Sequence, residues 1–253
     1  MEKREVSILG VITARGGSKS IYKKSIAPCA GYPLMYYTIM AAQESSLITR
    51  LVLSTDDEEM AAYARGFDIE IRPEHLPEDK PRCDLVLFQY VLEQFKKDEY
   101  VPDIVVHLRP TTPLKTTADI DRGIQLMLDH PEADSVRSVC APLHTPFKMY
   151  RVRQQGPYIE PILKQEFPEV YREIHEPFNM PRQMLPPILR HSGYVDVVRS
   201  HIISAGSMSG EKILPLPIEE WRDIDIDSSL DLEYASWLIR RIFDQGKVPW
   251  IHY

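Results

Sequence analysis

Cysteine is scarce: 253 residues contain three, Cys29, Cys83 and Cys140, far apart and without C-x-x-C spacing. That excludes a disulfide framework and fits a reducing compartment. No apolar run approaches the length needed to cross a bilayer, and no apolar leader precedes Val6, so no membrane partner and a cytoplasmic location are expected. Basic residues do not predominate either. A formal net charge of -7 argues against a nucleic-acid partner, which calls for a basic excess or stripe. The eight histidines show no H-E-x-x-H spacing, and the run Gly206-Ser207-Met208-Ser209-Gly210 has methionine where a nucleophile elbow needs serine. No covalent nucleophile is assigned, and His107, at a strand end, reads as core or as support behind a site rather than as a base. Internal repeats and low-complexity segments are absent.

What is present is ordinary in bulk and particular in detail. With 43% hydrophobic and 26% charged residues, the chain suits one α/β domain with a sizeable insertion. A mostly apolar run from Val6 to Ala14 stops at Arg15-Gly16-Gly17-Ser18-Lys19, and Lys23 and Lys24 follow in the same short loop. Glycine permits close backbone approach, so N–H groups, a hydroxyl and several cations can gather around one polyanion, with phosphate the obvious candidate. The order Gly-Ser-Lys is not the Walker order, and a merely solvated basic loop is the competing reading.

Strand and helix then alternate. A helix is expected from Leu34 to Gln43, a strand from Arg50 to Ser54, and a helix after Thr55 or Asp56 acting as its cap. A short strand covers Ile69 to Ile71. Beyond a charged, proline-rich loop, Leu85, Phe88, Val91, Leu92 and Phe95 form a core-facing helical stripe. A buried strand, Ile104 to Leu108, runs into Arg109-Pro110-Thr111-Thr112-Pro113-Leu114, a helix spans Thr117 to Asp129, and Ser135 to Cys140 is strand-like. This predicts a mostly parallel, Rossmann-like sheet with helices on both faces, and ligands beyond the carboxyl ends of the strands.

Between Pro142 and Pro187 lie nine of the 21 prolines, without periodicity, which marks an insertion serving as lid or dimerisation element. The expected domains are thus 1–141 with 188–253, and the insertion 142–187. Past Ser192 the core pattern resumes, with strands at Tyr194–Val198 and Ile213–Leu216. Ser228 or Ser229 caps a last helix to Asp244, read with Leu230, Tyr234, Trp237 and Leu238 inward. Before it, Asp223, Asp225 and Asp227 alternate as if on one side of a strand, opposite Ile224 and Ile226. Three close carboxylates suit a hard divalent cation such as Mg²⁺, or else an acidic lead-in to the helix. Arg182, Gln183 and Arg190, where the proline-rich segment ends, suit a carboxylate or phosphate, or are plain surface charge.

As an ensemble these stretches are recognisable: A-R-G-G-S-K-x-I-x-x-K at Ala14, S-T-D at Ser54, R-P at Arg72, R-P-T-T-P-L at Arg109, R-Q-x-L-P at Arg182 and D-I-D-x-x-x-D-L at Asp225. In this order over most of the chain, the set resembles the acylneuraminate cytidylyltransferase family. The resemblance implies transfer of CMP from CTP to a nonulosonic, sialic acid-like sugar acid, with release of pyrophosphate and help from Mg²⁺. It assigns nucleotide contacts to Arg15, Gly17, Ser18, Lys19, Lys24, Ser25 and Arg72, and metal binding to Asp225 and Asp227. Of these, Arg15, Lys19, Lys24 and the two aspartates carry the catalytic charge neutralisation. Sugar contacts fall to Arg109, Thr111, Arg182, Gln183, Arg190 and Asp196. It also implies a homodimer in which the insertion helps to complete a partner's sugar site. Three departures stand out: Lys24-Ser25 where the family has Lys-Asn, Arg109 where it often has glutamine, and Ser192-Gly193-Tyr194-Val195-Asp196 for its N-G-x-x-Y. The last two imply an acceptor other than N-acetylneuraminate, with Asp196 favouring amine, hydroxyl or cation partners. A related nucleotidyltransferase using another base or a sugar phosphate, such as a guanylyltransferase, and a non-catalytic nucleotide-binding relative are the competing readings.

Overall fold

The computed structural model describes residues 5–18, 20–67, 69–73 and 83–251. Seven strands form one sheet: β1 Ile8–Thr13, β2 Arg50–Thr55, β3 Glu70–Pro73, β4 Ile104–Leu108, β5 Ser135–Cys140, β6 Arg190–Arg199 and β7 Ile213–Pro217. Their spatial order is β7-β5-β6-β4-β1-β2-β3. Central β1 pairs in parallel with β2 on one side and β4 on the other. The β2–β3 and β5–β7 pairs are parallel too, whereas β6 runs antiparallel to β4. The mostly parallel α/β sheet expected from the alternation is therefore present.

Period-two alternation explains how one sheet serves two cores. In β1, Ile8 and Ile12 enter a cluster built with α1 (Leu34–Gln43), α2 (Glu58–Ala64), α4 (Thr117–Asp129) and α7 (Ser229–Asp244), while Leu9 and Val11 enter another against α3 (Asp84–Lys97) and α6 (Ser200–Ser204). Both faces are thus covered. No helix among the described residues is long and apolar enough to cross a membrane.

Contacts divide the chain into two compact units, residues 1–139 with 191–253, and 140–190. The second unit holds helix α5 (Pro168–Glu173) and a small antiparallel hairpin, Tyr150–Val152 with Ile159–Pro161. It has a modest core of its own around Phe147, Val170 and Leu185.

Three local expectations are corrected. Asp57, not Thr55 or Asp56, caps α2, its carboxylate accepting from the N–H groups of Glu59 and Met60. Asp223 to Asp227 form no strand; they follow a short 3-10 turn, Glu220–Arg222, as irregular chain. Ser228 does cap α7, in a reciprocal box with Asp231, but the buried residues of the helix are Ala235, Ile239 and Ile242, and of the four read inward Leu238 alone packs against the core. Leu230 is 73% exposed and Trp237 49%, because the small Ala235 lets the helix approach the core along a different stripe. In chemical denaturation, Ile239→Ala should cost about 2–5 kcal/mol and Trp237→Ala about 1 kcal/mol or less. The reverse ranking would restore the face read from sequence.

Candidate active site

The cationic loop leaves β1 and is tied down at once. Ala14 N–H donates to Ser54 O at 2.9 Å, extending the β1–β2 ladder, and Gly16 N–H donates to Asp56 Oδ1 at 2.8 Å. A Cβ at Gly16 would lie 2.8 Å from an Asp57 carboxylate oxygen, so this position requires glycine. Lys23, in a left-handed conformation with φ 46°, reaches Asp57 at 2.9 Å and Glu59 at 2.7 Å. Those hydrogen bonds, Glu59 first and then Asp57, raise its pKa. Lys23 is therefore a tether to the acidic start of α2 and not a ligand contact.

Arg15, Gly17, Ser18, Lys24 and Ser25 line a cleft of about 580 Å³, together with Thr13, Asp56, Asp84, Arg109, Pro110 and Thr111. Lys19 lies outside the described residues. The cleft opens beyond the carboxyl ends of β1, β2 and β4, where the chain, having built β2 and β3 on one side of β1, returns to build β4 on the other.

Between the two aspartates, the backbone of Ile226 is bonded to two residues of this cleft, Lys24 and Thr111. Lys24 Nζ donates to Ile226 O at 2.5 Å and lies 3.1 Å from Asp227 Oδ1, while Ile226 N–H donates to Thr111 O at 2.8 Å. On the upstream side Arg222, buried, bonds to the Asp119 carboxylate, to Tyr194 Oη at 2.5 Å and to Thr116 Oγ1 at 3.3 Å. Downstream, Asp231 Oδ2 accepts from the N–H of Asp227 at 3.1 Å and of Ser228 at 2.7 Å. A segment without regular structure is thus pinned along its length. Asp225 and Asp227 remain exposed, and no hydrogen bond or ion pair from a described residue reaches the Asp225 carboxylate. Among the described residues no group of three or more His, Cys, Asp or Glu is arranged to cage a metal. Two exposed carboxylates beside a cationic loop, Asp227 paired with Lys24 and Asp225 not, fit Mg²⁺, which takes one or two carboxylates and completes its shell with phosphate oxygens and water.

Two of the sugar contacts expected from sequence, and one of the nucleotide contacts, are placed otherwise. Asp196 has no exposed surface, since the β4–β6 pairing sets it opposite His107 inside the sheet. Its carboxylate meets Arg109, Arg137 and His191, each at 2.8 Å. Burial opposes its ionisation, but the His191 hydrogen bond and the two arginines hold it far below the ordinary carboxylate range. A group so enclosed cannot select an acceptor by touching it. Arg109 does line the cleft, yet its guanidinium is engaged by Asp196, by Gly193 O at 3.2 Å and by Asp84 at 2.8 Å. Arg72 does not line the cleft: it is paired with Glu70 and Asp98 and stacks 4.6 Å from the Phe95 ring centroid.

Arg182, Gln183 and Arg190 belong to the second unit. There Arg182 lines a pocket of about 390 Å³ with His144, Thr145 and Lys148, and donates to Pro142 O at 2.9 Å. Gln183 is exposed in the turn Arg182–Met184, and Arg190 approaches Cys140 Sγ at 3.8 Å.

Sequence reasoning missed Asp84 and Lys115. Asp84 occupies the first turn of α3 and faces the cleft; burial disfavours its charge, but the ion pair with Arg109 holds its pKa below the usual value. An acid at the head of an apolar stripe was its one local signal. Lys115 is fully buried, and burial, reinforced by Arg109, pushes its pKa well below the ordinary lysine value. Nothing in the sequence around it announces that burial.

Residues 9–156 match the family model described as Cytidylyltransferase. The chain belongs to the cytidylyltransferase family. It is 26% identical over 246 residues to post-translational flagellin modification protein B of Campylobacter coli, a match covering 95% of this chain and 98% of that protein. To the CMP-N,N'-diacetyllegionaminic acid synthase of Legionella pneumophila it is 28% identical, over 88% of this chain and 92% of that one. Among solved structures, a CMP:2-keto-3-deoxy-manno-octonic acid synthetase complexed with CTP superposes with a TM-score of 0.64 at 16% identity, covering 93% of this chain and 99% of that one. That last likeness concerns the fold.

In this cytidylyltransferase His107 is a buried neutral ring behind the cleft, 3.1 Å from Thr13 Oγ1 and packed edge-on against Phe88. Burial first, then Arg109, lowers its pKa to about 3. The folded value lies below the unfolded one, so its contribution to stability is complete above about pH 6.5 and is lost as the pH falls toward 3. The ionised Asp84 and Asp196, whose pKa values are also lowered, withdraw their contributions only below about pH 4, which leaves a window for the histidine. Between pH 6.5 and 4 stability should drop by about 3 kcal/mol through this group, and His107→Asn should flatten that slope in urea titrations across pH. An unchanged slope would mean that the ring is free to charge in the fold.

Proposed function

We propose that this cytidylyltransferase transfers CMP from CTP to a nonulosonic sugar acid and releases pyrophosphate, with Mg²⁺ held by Asp225 and Asp227. The observation that supports the reading is the backbone of Ile226, the residue between the two aspartates, whose carbonyl accepts from Lys24 and whose N–H donates to Thr111, both residues of the cleft lining. The similarity to a CMP-N,N'-diacetyllegionaminic acid synthase supports the sugar-acid class, and the need for CTP fits a cytoplasmic setting.

A hydroxyl of the sugar acid attacks the α-phosphorus. The new O–P bond forms as the bond to the bridging oxygen breaks, pyrophosphate leaves, and the hydroxyl proton is lost. Little covalent chemistry falls to the protein, so positioning and charge neutralisation carry the rate. Arg15, Ser18, Lys24 and the glycine-loop N–H groups hold the triphosphate, with Ser25 lining the same cleft. Mg²⁺, when bound, neutralises phosphate charge and lowers the pKa of a coordinated hydroxyl. Asp84, rather than the enclosed Asp196, offers a carboxylate oxygen to a hydrogen-bond donor of the bound substrates. Arg182 and Arg190 of the second unit suit the acceptor carboxylate. The same unit exposes the apolar side chains of Val152, Tyr158, Ile159 and Leu189, which supports a homodimer in which each proline-rich segment completes the partner's sugar site.

Pyrophosphate release is expected from CTP, Mg²⁺ and a sugar acid together, and from no two of them. Asp225→Ala and Asp227→Ala should each lower kcat by at least about 100-fold. Full turnover in excess EDTA would end the metal assignment, and stronger thermal stabilisation by GTP than by CTP would move the base assignment to a guanylyltransferase. Sedimentation at micromolar concentration should find a dimer; a monomer would remove the role given to the second unit.

A further inference from the structure

Lys115 is the one fully buried lysine in this site's surroundings among the described residues, and it touches neither cleft nor solvent. Its Nζ donates to Thr112 O at 2.6 Å, Arg109 O at 2.7 Å, Thr112 Oγ1 at 2.8 Å and Thr38 Oγ1 at 3.2 Å. Burying an amine is costly unless hydrogen bonds replace its hydration, and here four oxygens surround the nitrogen. The loop after β4 is in effect folded around this nitrogen.

What the loop does follows from where the bonds fall. Lys115 fixes the carbonyls of Arg109 and Thr112, and between them lies Thr111, whose own carbonyl receives the Ile226 N–H at 2.8 Å. Ile226 is flanked by Asp225 and Asp227. With its neighbours on both sides held, the Thr111 carbonyl has little freedom, and neither does the peptide that hangs from it. We infer that Lys115 is a positioning residue for the divalent cation: through the Arg109–Thr112 loop and the Thr111–Ile226 hydrogen bond, it sets the two aspartates at the distance from the phosphate loop that the metal requires. The inference rests on the metal assignment above and adds a residue that touches neither metal nor substrate. Groups that orient metal ligands in this indirect way typically change metal affinity by about 10–100-fold when removed.

The test uses the whole chain saturated with CTP, without sugar acid, so that no turnover occurs, and titrates Mn²⁺ by calorimetry. Lys115→Met should weaken Mn²⁺ binding by about tenfold or more while leaving metal-free CTP affinity within about twofold. Thr38→Val, which removes one of the four oxygens, should shift Mn²⁺ binding in the same direction by less. Thr117→Val is the control: Thr117 Oγ1 donates to Ala41 O and Trp250 O, away from this route, so its loss should lower stability and leave Mn²⁺ binding unchanged. If Lys115→Met does not fold, Thr38→Val decides alone. Wild-type Mn²⁺ affinity in the folded variants, or an equal loss of CTP and Mn²⁺ affinity, overturns the role of Lys115. A wild-type chain that takes up no Mn²⁺ with CTP overturns the metal assignment itself, and this inference with it.

Discussion

Everything in the site depends on one residue whose backbone is held from both sides. The carbonyl of Ile226 takes the Lys24 ammonium and its N–H goes to Thr111. An irregular segment cannot fix its own geometry, because it has no ladder or helix to satisfy its backbone. Here that geometry is borrowed from the loop after β1 and the loop after β4, both anchored in the central parallel strands. The borrowed bonds are polar and largely shielded from water, so each loses much of its worth if its partner shifts and leaves it unsatisfied.

A second set of buried charges holds the sheet ends together. Arg137 projects from β5 and Arg109 from the loop after β4, and both converge on the carboxylate of Asp196 in β6. Such ions are weak evidence of net stability, since their dehydration offsets most of their attraction. Their consequence is geometric. They align the ends of three neighbouring strands, and they leave Asp84 facing the cleft with one oxygen occupied by Arg109. What looked in sequence like two separate departures from the family pattern, at 109 and 196, is one ion pair.

Much of the scaffold was legible in advance. The helices Leu34–Gln43 and Thr117–Asp129 and the strands Ile104–Leu108 and Ser135–Cys140 begin and end where apolar runs meet glycine, proline or polar clusters, and these are local signals. The glycine loop and the neighbouring aspartates were legible for the same reason: residue types of one chemistry lie side by side. The inward face of α7 was not, because bulk was taken as the mark of burial and the helix turns its alanine to the core. The fates of Asp196 and Arg72 were not, because each depends on partners brought in by pairing between distant strands or from another helix. Lys115 was hidden for the plainest reason, that a lone lysine carries no local sign of the four oxygens waiting for it.

The Lys24–Ile226 bond joins residues 202 positions apart. Contacts so remote in sequence are entropically late, since the intervening chain must be organised before they can close. The tethers between the loop after β1 and the start of α2 span only 40 and 36 positions, so they close at lower entropic cost than the bond that fixes the segment carrying the aspartates, and folding can assemble the two halves of the site at different stages.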